Sequence, residues 1–256
     1  MRRDGRRPIV GSSWKMHLGP SAAAAYLDAL VPAVRHIADR DLFVLPAFPA
    51  IAVAQARLTG TNVAWGAQDV HPEDRGAHTG DVSAPMLTDL GCRYVEVGHS
   101  ERRRDHGETP DLVAAKVAAV LRWGMQPIVC VGETLRAEPD VTAGLLAGEL
   151  GIILTGVANV DLSRVVVAYE PVWAIGEGAT AAPPREVGEV HRGLRTWLDA
   201  LAPEGRSVRI IYGGSVDPDN SASLLAQPAV DGLFVGRSAL DPLVFAAIAG
   251  TPVEGV

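Results

Sequence analysis

Apolar residues along the chain fall into eight short, nearly unbroken runs, with longer stretches of helical period between them. The runs are PIVGSSW (8–14), LFVLPA (42–47), NVAWGAQ (62–68), YVEVGH (94–99), QPIVCVG (126–132), RVVVAYE (164–170), VRIIYGG (208–214) and VDGLFVG (230–236). They are rich in Val, Ile and Leu and do not alternate with polar residues. That pattern predicts strands covered on both faces, as in a parallel sheet flanked by helices. The intervening stretches 20–37, 109–124 and 184–201 carry the clearest helical period. The second opens with Thr109 at the cap and Pro110 in the first turn, and it stops at Gly124. The stretch between the fifth and sixth runs is glycine-rich and predicts a weaker helix. Eight strand–helix units over 256 residues predict an α/β fold, a (β/α)8 barrel, with residues 1–256 as one domain and no linker.

Composition narrows the partners. The chain is 48% hydrophobic, enough for one large core, and its formal net charge of −7 gives no electrostatic attraction to nucleic acid or an anionic membrane. The one basic cluster, MRRDGRRP, reads as a frayed start; no apolar segment of a signal peptide follows it. No apolar run approaches the roughly 20 residues of a membrane span. Two cysteines, Cys92 and Cys130, predict no structural disulfide and a reduced, cytoplasmic setting.

Polar residues collect where the apolar runs end, which in such a barrel is the face that carries the chemistry. The first run ends at Ser13 and Lys15, the third at Gln68, and the fourth at His99, followed by Ser100, Glu101 and Arg102. The sixth ends at Glu170, the seventh at Gly213, Gly214 and Ser215, and the eighth at Gly236 and Arg237. Taken singly, each has a plain reading: a solvated loop acid, a structural histidine, a surface lysine, an ordinary turn. Together at one mouth they supply a general base, an electrophile and exposed backbone amides for an anion. His71, His78, His99, His106 and the acids show no tight metal-ligand spacing, so no metal and no organic cofactor is expected.

The segments SSWKM (12–16), GHSERR (98–103), AYEPVWAIG (168–176), YGGSV (212–216) and VDGLFVG (230–236) resemble the signatures of the triosephosphate isomerases, in the same order and on the expected strands. The resemblance runs from the first strand to the eighth. It implies Glu170 as the base that moves a proton between adjacent carbons, and His99 as the group that polarises the carbonyl and shuttles hydrogen between the two oxygens of an enediolate. It implies Lys15 as positive charge for the oxyanion, with Glu101 bracing Lys15. The backbone at Gly176, Ser215, Gly236 and Arg237 is implied to hold a phosphate, with Ser13 lining the substrate. The pairing of a glutamate base, a neutral histidine and a closing loop is the known scheme for triosephosphate isomerase, carried over with the resemblance. The segment AIGEGAT (174–180) then reads as a flap that closes over bound phosphate and excludes water. The segment GAQDVHPEDRGAHTGD (66–81) resembles the loop by which subunits of that family interlock. It implies a homodimer formed through residues 69–81, with Thr79 near the partner's active site.

Some positions depart from the common family pattern. Ser13 stands where asparagine is usual, Asp69 and Asp81 replace asparagine and glutamate, Glu177 and Ala179 replace threonine and lysine in the flap, and Arg237 replaces glycine. The shorter Ser13 leaves room beside Lys15. SSWKM and GRSA also resemble a branch of the family acting on four-carbon tetrulose phosphates. The expected substrate is a triose phosphate, with a tetrulose phosphate and a non-catalytic phosphate-binding role as alternatives.

Overall fold

The computed structural model describes residues 5–176, 178 and 180–253. Its strands are β1 (Ile9–Ser13), β2 (Asp41–Leu45), β3 (Val63–Ala67), β4 (Tyr94–Val97), β5 (Gln126–Val131), β6 (Val166–Tyr169), β7 (Arg209–Tyr212) and β8 (Gly232–Val235). The helices are α1 (Pro20–Val34), α2 (Ile51–Leu58), α3 (Ala84–Asp89), α4 (Ser100–His106), α5 (Pro110–Arg122), α6 (Pro139–Ile153), α7 (Asn159–Leu162), α8 (Pro184–Leu201), α9 (Pro218–Leu225) and α10 (Pro242–Ala249). The strands pair in parallel in sequence order, and β1 pairs with both β2 and β8, so the sheet closes on itself. The expected barrel is therefore the fold. Closure removes every sheet edge and fixes all eight strand ends at one mouth.

Strand alternation divides the buried residues into two layers. Ile9, Phe43, Tyr94, Ile128, Val166 and Ile211 fill the barrel, while Val10, Val44, Val95, Val129 and Val167 pack outward under the helices. The ring centroids of Phe43 and Tyr94 lie 4.7 Å apart inside the barrel. Strands lined on both faces in this way must be apolar throughout, which is why the runs lack alternation. The interior is tight where Gly66 on β3 meets β4. A Cβ on Gly66 would lie 1.9 Å from the carbonyl oxygen of Tyr94.

The arginines read as a frayed start are partly built into the barrel's base. Arg2 and Arg3 lie outside the described residues. Arg6 donates from Nε to Asp231 Oδ1 at 2.9 Å, and Arg7 from Nε to Asp41 Oδ1 at 2.9 Å. Asp231 is fully buried and also accepts from the Ile210 amide, which gives the chain start a fixed anchor. Helix α1 stops at Val34, three residues before the limit expected from the period. The glycine-rich α6 is a full 15-residue helix, because a glycine of α8 lets the two helices approach closely: a Cβ on Gly193 would lie 2.5 Å from Ala143 Cβ. Cys92 and Cys130 are both buried and free. Among the described residues no helix is long and apolar enough to cross a membrane.

Gly66→Ala is expected to lower the unfolding free energy by about 1–3 kcal/mol or more, since the clash is with backbone that cannot rotate away. Gly144→Ala, at an exposed α6 position with open space around it, is expected to raise it by ~0.5–1 kcal/mol. Urea midpoints of the two variants against the parent check both signs.

Candidate active site

The residues singled out at the strand ends converge on one cavity of about 580 Å³. Ser13, Lys15, His99, Glu101, Glu170, Gly176, Ser215, Gly236 and Arg237 all line it. Thr79 does not; it is exposed on the loop 69–81. Gly176 and Gly178 of the flap line the cavity, while Glu177 and Ala179 lie outside the described residues.

Lys15 sits at φ +49°, the one non-glycine residue with positive φ among those described. Such a conformation costs about 1–3 kcal/mol and persists only when neighbours fix it. Gln68 at the end of β3 fixes it, donating from Nε2 to the carbonyls of Lys15 (3.0 Å) and Leu45 (2.9 Å). The lysine Nζ then donates to Glu101 Oε1 at 2.8 Å. Burial opposes charge on Glu101, but the Lys15 hydrogen bond and charge hold its carboxyl below the usual range.

His99 caps α4. Its Nδ1 accepts from the Glu101 amide at 3.1 Å, so in the neutral ring the proton sits on Nε2. Burial, and after it the Lys15 cation, pushes the imidazole pKa down to about 4. Nε2 lies 3.6 Å from Glu170 Oε2 across the cavity. Glu170 is 4% exposed, and its Oε2 has no hydrogen-bond partner among the described residues. Burial first, then the neighbouring Glu96, raises its pKa well above the usual value. The glutamate can lie there because Gly213 has no side chain: a Cβ would sit 2.7 Å from Glu170 Cγ. The hinge behind Glu170 is pinned at three points. Trp173 Nε1 donates to Glu133 Oε1 at 2.6 Å, Tyr169 Oη to the same oxygen at 3.1 Å, and Ser215 Oγ to the Ala174 carbonyl at 2.8 Å.

Two features escaped the reading of the sequence. Glu133 sits in a turn with no distinguishing pattern. Glu96 had a signal: it is a charge inside an apolar strand, YVEVGH. It points into the barrel, is 2% exposed, and accepts from Ser13 Oγ at 2.7 Å. Ligand-type atoms also come closer than the sequence spacing suggested. Those of His71, His78 and Asp81 lie within 4.8 Å of one another on the loop, as do those of Glu96, Cys130 and Glu170 in the barrel. His71 Nδ1 accepts from the Glu73 amide, which keeps its Nε2 protonated in the neutral ring.

A buried carboxyl with a free oxygen thus faces a neutral imidazole N–H, flanked by a lysine and by three glycine-rich strand ends. The family model for triosephosphate isomerase matches residues 8–251. The chain belongs to the triosephosphate isomerase family. It is 45% identical over 248 residues to a triosephosphate isomerase of Coxiella burnetii, covering 95% of this chain and 96% of that protein. It is 46% identical over 245 residues to one of Cupriavidus necator, covering 95% and 98%. The crystal structure of triosephosphate isomerase from Bartonella henselae superposes with a TM-score of 0.84 at 32% identity, over 94% of this chain and 97% of that one.

His99 is expected to stay neutral, protonated at Nε2, from pH 9 down to pH ~5. The ring nitrogen shifts in a 15N NMR titration report this directly; a midpoint near the ordinary histidine value of about 6.5 contradicts it.

Proposed function

We propose that this chain interconverts dihydroxyacetone phosphate and glyceraldehyde 3-phosphate, an isomerisation of glycolysis and gluconeogenesis. The observation that carries the reading is the unpartnered Glu170 Oε2, buried and 3.6 Å from His99 Nε2 at the mouth of the barrel. Relatives of this similarity named triosephosphate isomerase support a three-carbon substrate over a four-carbon one and over a non-catalytic role.

Glu170 removes the proton α to the carbonyl, a weak acid whose conjugate base must be stabilised as it forms. The base gains strength from burial, because a carboxylate stripped of water holds a proton more tightly. His99 donates its Nε2 hydrogen to the developing enediolate oxygen. A neutral imidazole is closer in acidity to that oxygen than an imidazolium is, so hydrogen passes either way with little energy difference. Lys15, braced by Glu101, supplies positive charge beside the same oxygens. Glu170 then returns the proton to the adjacent carbon. Backbone at Gly176, Ser215, Gly236 and Arg237 holds the phosphate, and the Arg237 side chain, exposed at the rim, adds positive charge there. Flap closure keeps water from the enediolate, which in water can expel phosphate. The base, the electrophile and the phosphate cradle make this chemistry complete with the chain's own groups, in a cytoplasmic setting.

We also propose a homodimer through the loop 69–81. Supporting it, Thr79 is exposed on that loop, and Met16, next to Lys15, is 96% exposed, a large apolar side chain left for a partner to cover.

Glu170→Gln is expected to abolish most turnover of glyceraldehyde 3-phosphate, and Glu170→Asp, which withdraws the carboxylate by about one bond length, to lower kcat on the order of 10²-fold or more. Near-normal kcat in Glu170→Gln rejects the role. A parent enzyme at least tenfold faster on a tetrulose phosphate than on the triose rejects the substrate. Light scattering of the purified protein is expected to give twice the 26.9 kDa chain mass; a single active chain rejects the dimer.

A further inference from the structure

The proposed reaction leaves a buried carboxyl of the cavity unused. Glu96 lies two residues beyond Tyr94, on the barrel side of β4, and it lines the active-site cavity with Glu170. One carboxyl oxygen of each, together with Cys130 Sγ, fall within 4.8 Å of one another. Among the described residues no cation pairs with Glu96. Its partners are the Ser13 hydroxyl at 2.7 Å and the Cys130 thiol at 3.7 Å. The nearby lysine, Lys15, is engaged with Glu101.

Two carboxyls this close in a nearly dry site do not both ionise readily, because each charge raises the cost of the other. Burial, the largest cause, pushes the Glu96 carboxyl up to about 7. The groups facing the two carboxyls are Lys15 from the end of β1, His99 and Glu101 at the start of α4, and Cys130 on β5. Lys15 favours charge on both carboxyls, and Glu101 opposes it. Burial holds the Cys130 thiol protonated, and His99 is neutral, so neither adds a positive charge. The proton left on the pair has one productive location, since the base must be free to accept another.

We propose that Glu96 is a positioning residue for the base: Glu96 and Glu170 hold a single proton between them, and in the productive form Glu96 carries it. Glu96 thereby couples the ionisation of Glu170 to its own. A charged Glu96 makes Glu170 harder to ionise, and a neutral one releases it. This rests on the isomerase reading for its functional meaning but not for its proton inventory.

The test is the pH dependence of kcat/KM for glyceraldehyde 3-phosphate, in the parent and in Glu96→Gln. The amide accepts from Ser13 as the carboxyl does but carries no charge. The amide stands in for the protonated Glu96 of the productive form, so the acid limb of the profile, set by Glu170 beside a neutral neighbour in both proteins, is expected to stay within about 0.3 unit of the parent's. A Glu96 ionised in the working enzyme gives the opposite result, a limb moved down by about one unit or more once its charge is gone, and that outcome overturns the proposal. A second measurement uses the parent protein, so it holds even where the variant folds poorly. Infrared spectra of protein labelled with 13C at the glutamate side-chain carboxyl are expected to show a protonated, buried carboxylic acid between pH 6 and 8. Its absence overturns the proposal. The same signal is expected to vanish in Glu96→Gln, which assigns the proton to Glu96, and its persistence there overturns the proposal. The two readings fail differently: a folded parent with no turnover but with the protonated carboxyl rejects the isomerase, whereas turnover with a limb moved to lower pH in Glu96→Gln rejects the pair.

Discussion

The structure turns on a carboxyl that must carry charge where there is almost no water. Glu170 follows directly on β6, and the barrel around it is filled with aromatic and branched side chains. Burial makes it a stronger base than a solvated carboxylate, and the same burial makes its ionised form costly. Every other feature of the mouth bears on that conflict. Gly213 clears space for the side chain, His99 presents an N–H without adding a charge, and Lys15 offers a cation at a distance set by Glu101. The backbone strain at Lys15 belongs to the same account. A lysine in the left-handed region is held there by Gln68 and the strand ends around it, so the rigidity of the barrel fixes where the cation stands.

Much of this was legible in the sequence, for a physical reason. A parallel sheet covered on both faces needs uninterrupted apolar strands, so the places where the runs break are the strand ends, and in this fold the strand ends are the mouth. Ser13, Lys15, His99, Glu170, Ser215 and Gly236 were located by that logic alone, and the structure gathers them around one cavity. What the pattern did not reveal depends on contacts between residues far apart in the chain. Arg6 reads as part of a loose basic start until Asp231, 225 residues away, is seen beside it. The glycines of α6 and α8 weaken a helix on propensity alone, and only the packing of the two helices shows what the Gly193 approach gains. Glu133 is one acid among many in the sequence; its two aromatic donors come from the end of β6 and the hinge that follows it.

Glu96 falls between these cases. An acid inside an apolar strand is visible without a structure, and alternation from Tyr94 would turn it inward. Its meaning was not visible, because that depends on which groups from β1, β5 and β6 share the barrel axis at its level. Position also explains why the glutamate is tolerated. Towards the base of the barrel, Arg209 with Asp41 and Gln126 form a satisfied polar layer, whereas Glu96 sits at the other end, where the interior opens to the cavity.

Ser13 and Glu96 are best understood as one unit. An asparagine at position 13, common in the family, has a fixed donor group and a fixed acceptor group, and its amide suits one protonation state of a neighbouring carboxyl through its N–H and the other through its oxygen only after a flip. A serine hydroxyl does both by rotating about a single bond. At the 2.7 Å separation of Ser13 Oγ and Glu96 Oε2, the hydroxyl donates to an ionised Glu96 and accepts from a protonated one with the same heavy-atom geometry. A carboxyl that changes charge therefore keeps its serine partner in either state, and the contact between Ser13 and Glu96 survives when the proton moves. The smaller side chain also leaves the volume that the Glu96 carboxyl occupies beneath Lys15. The departure from asparagine at position 13 is then tied to the acid on β4.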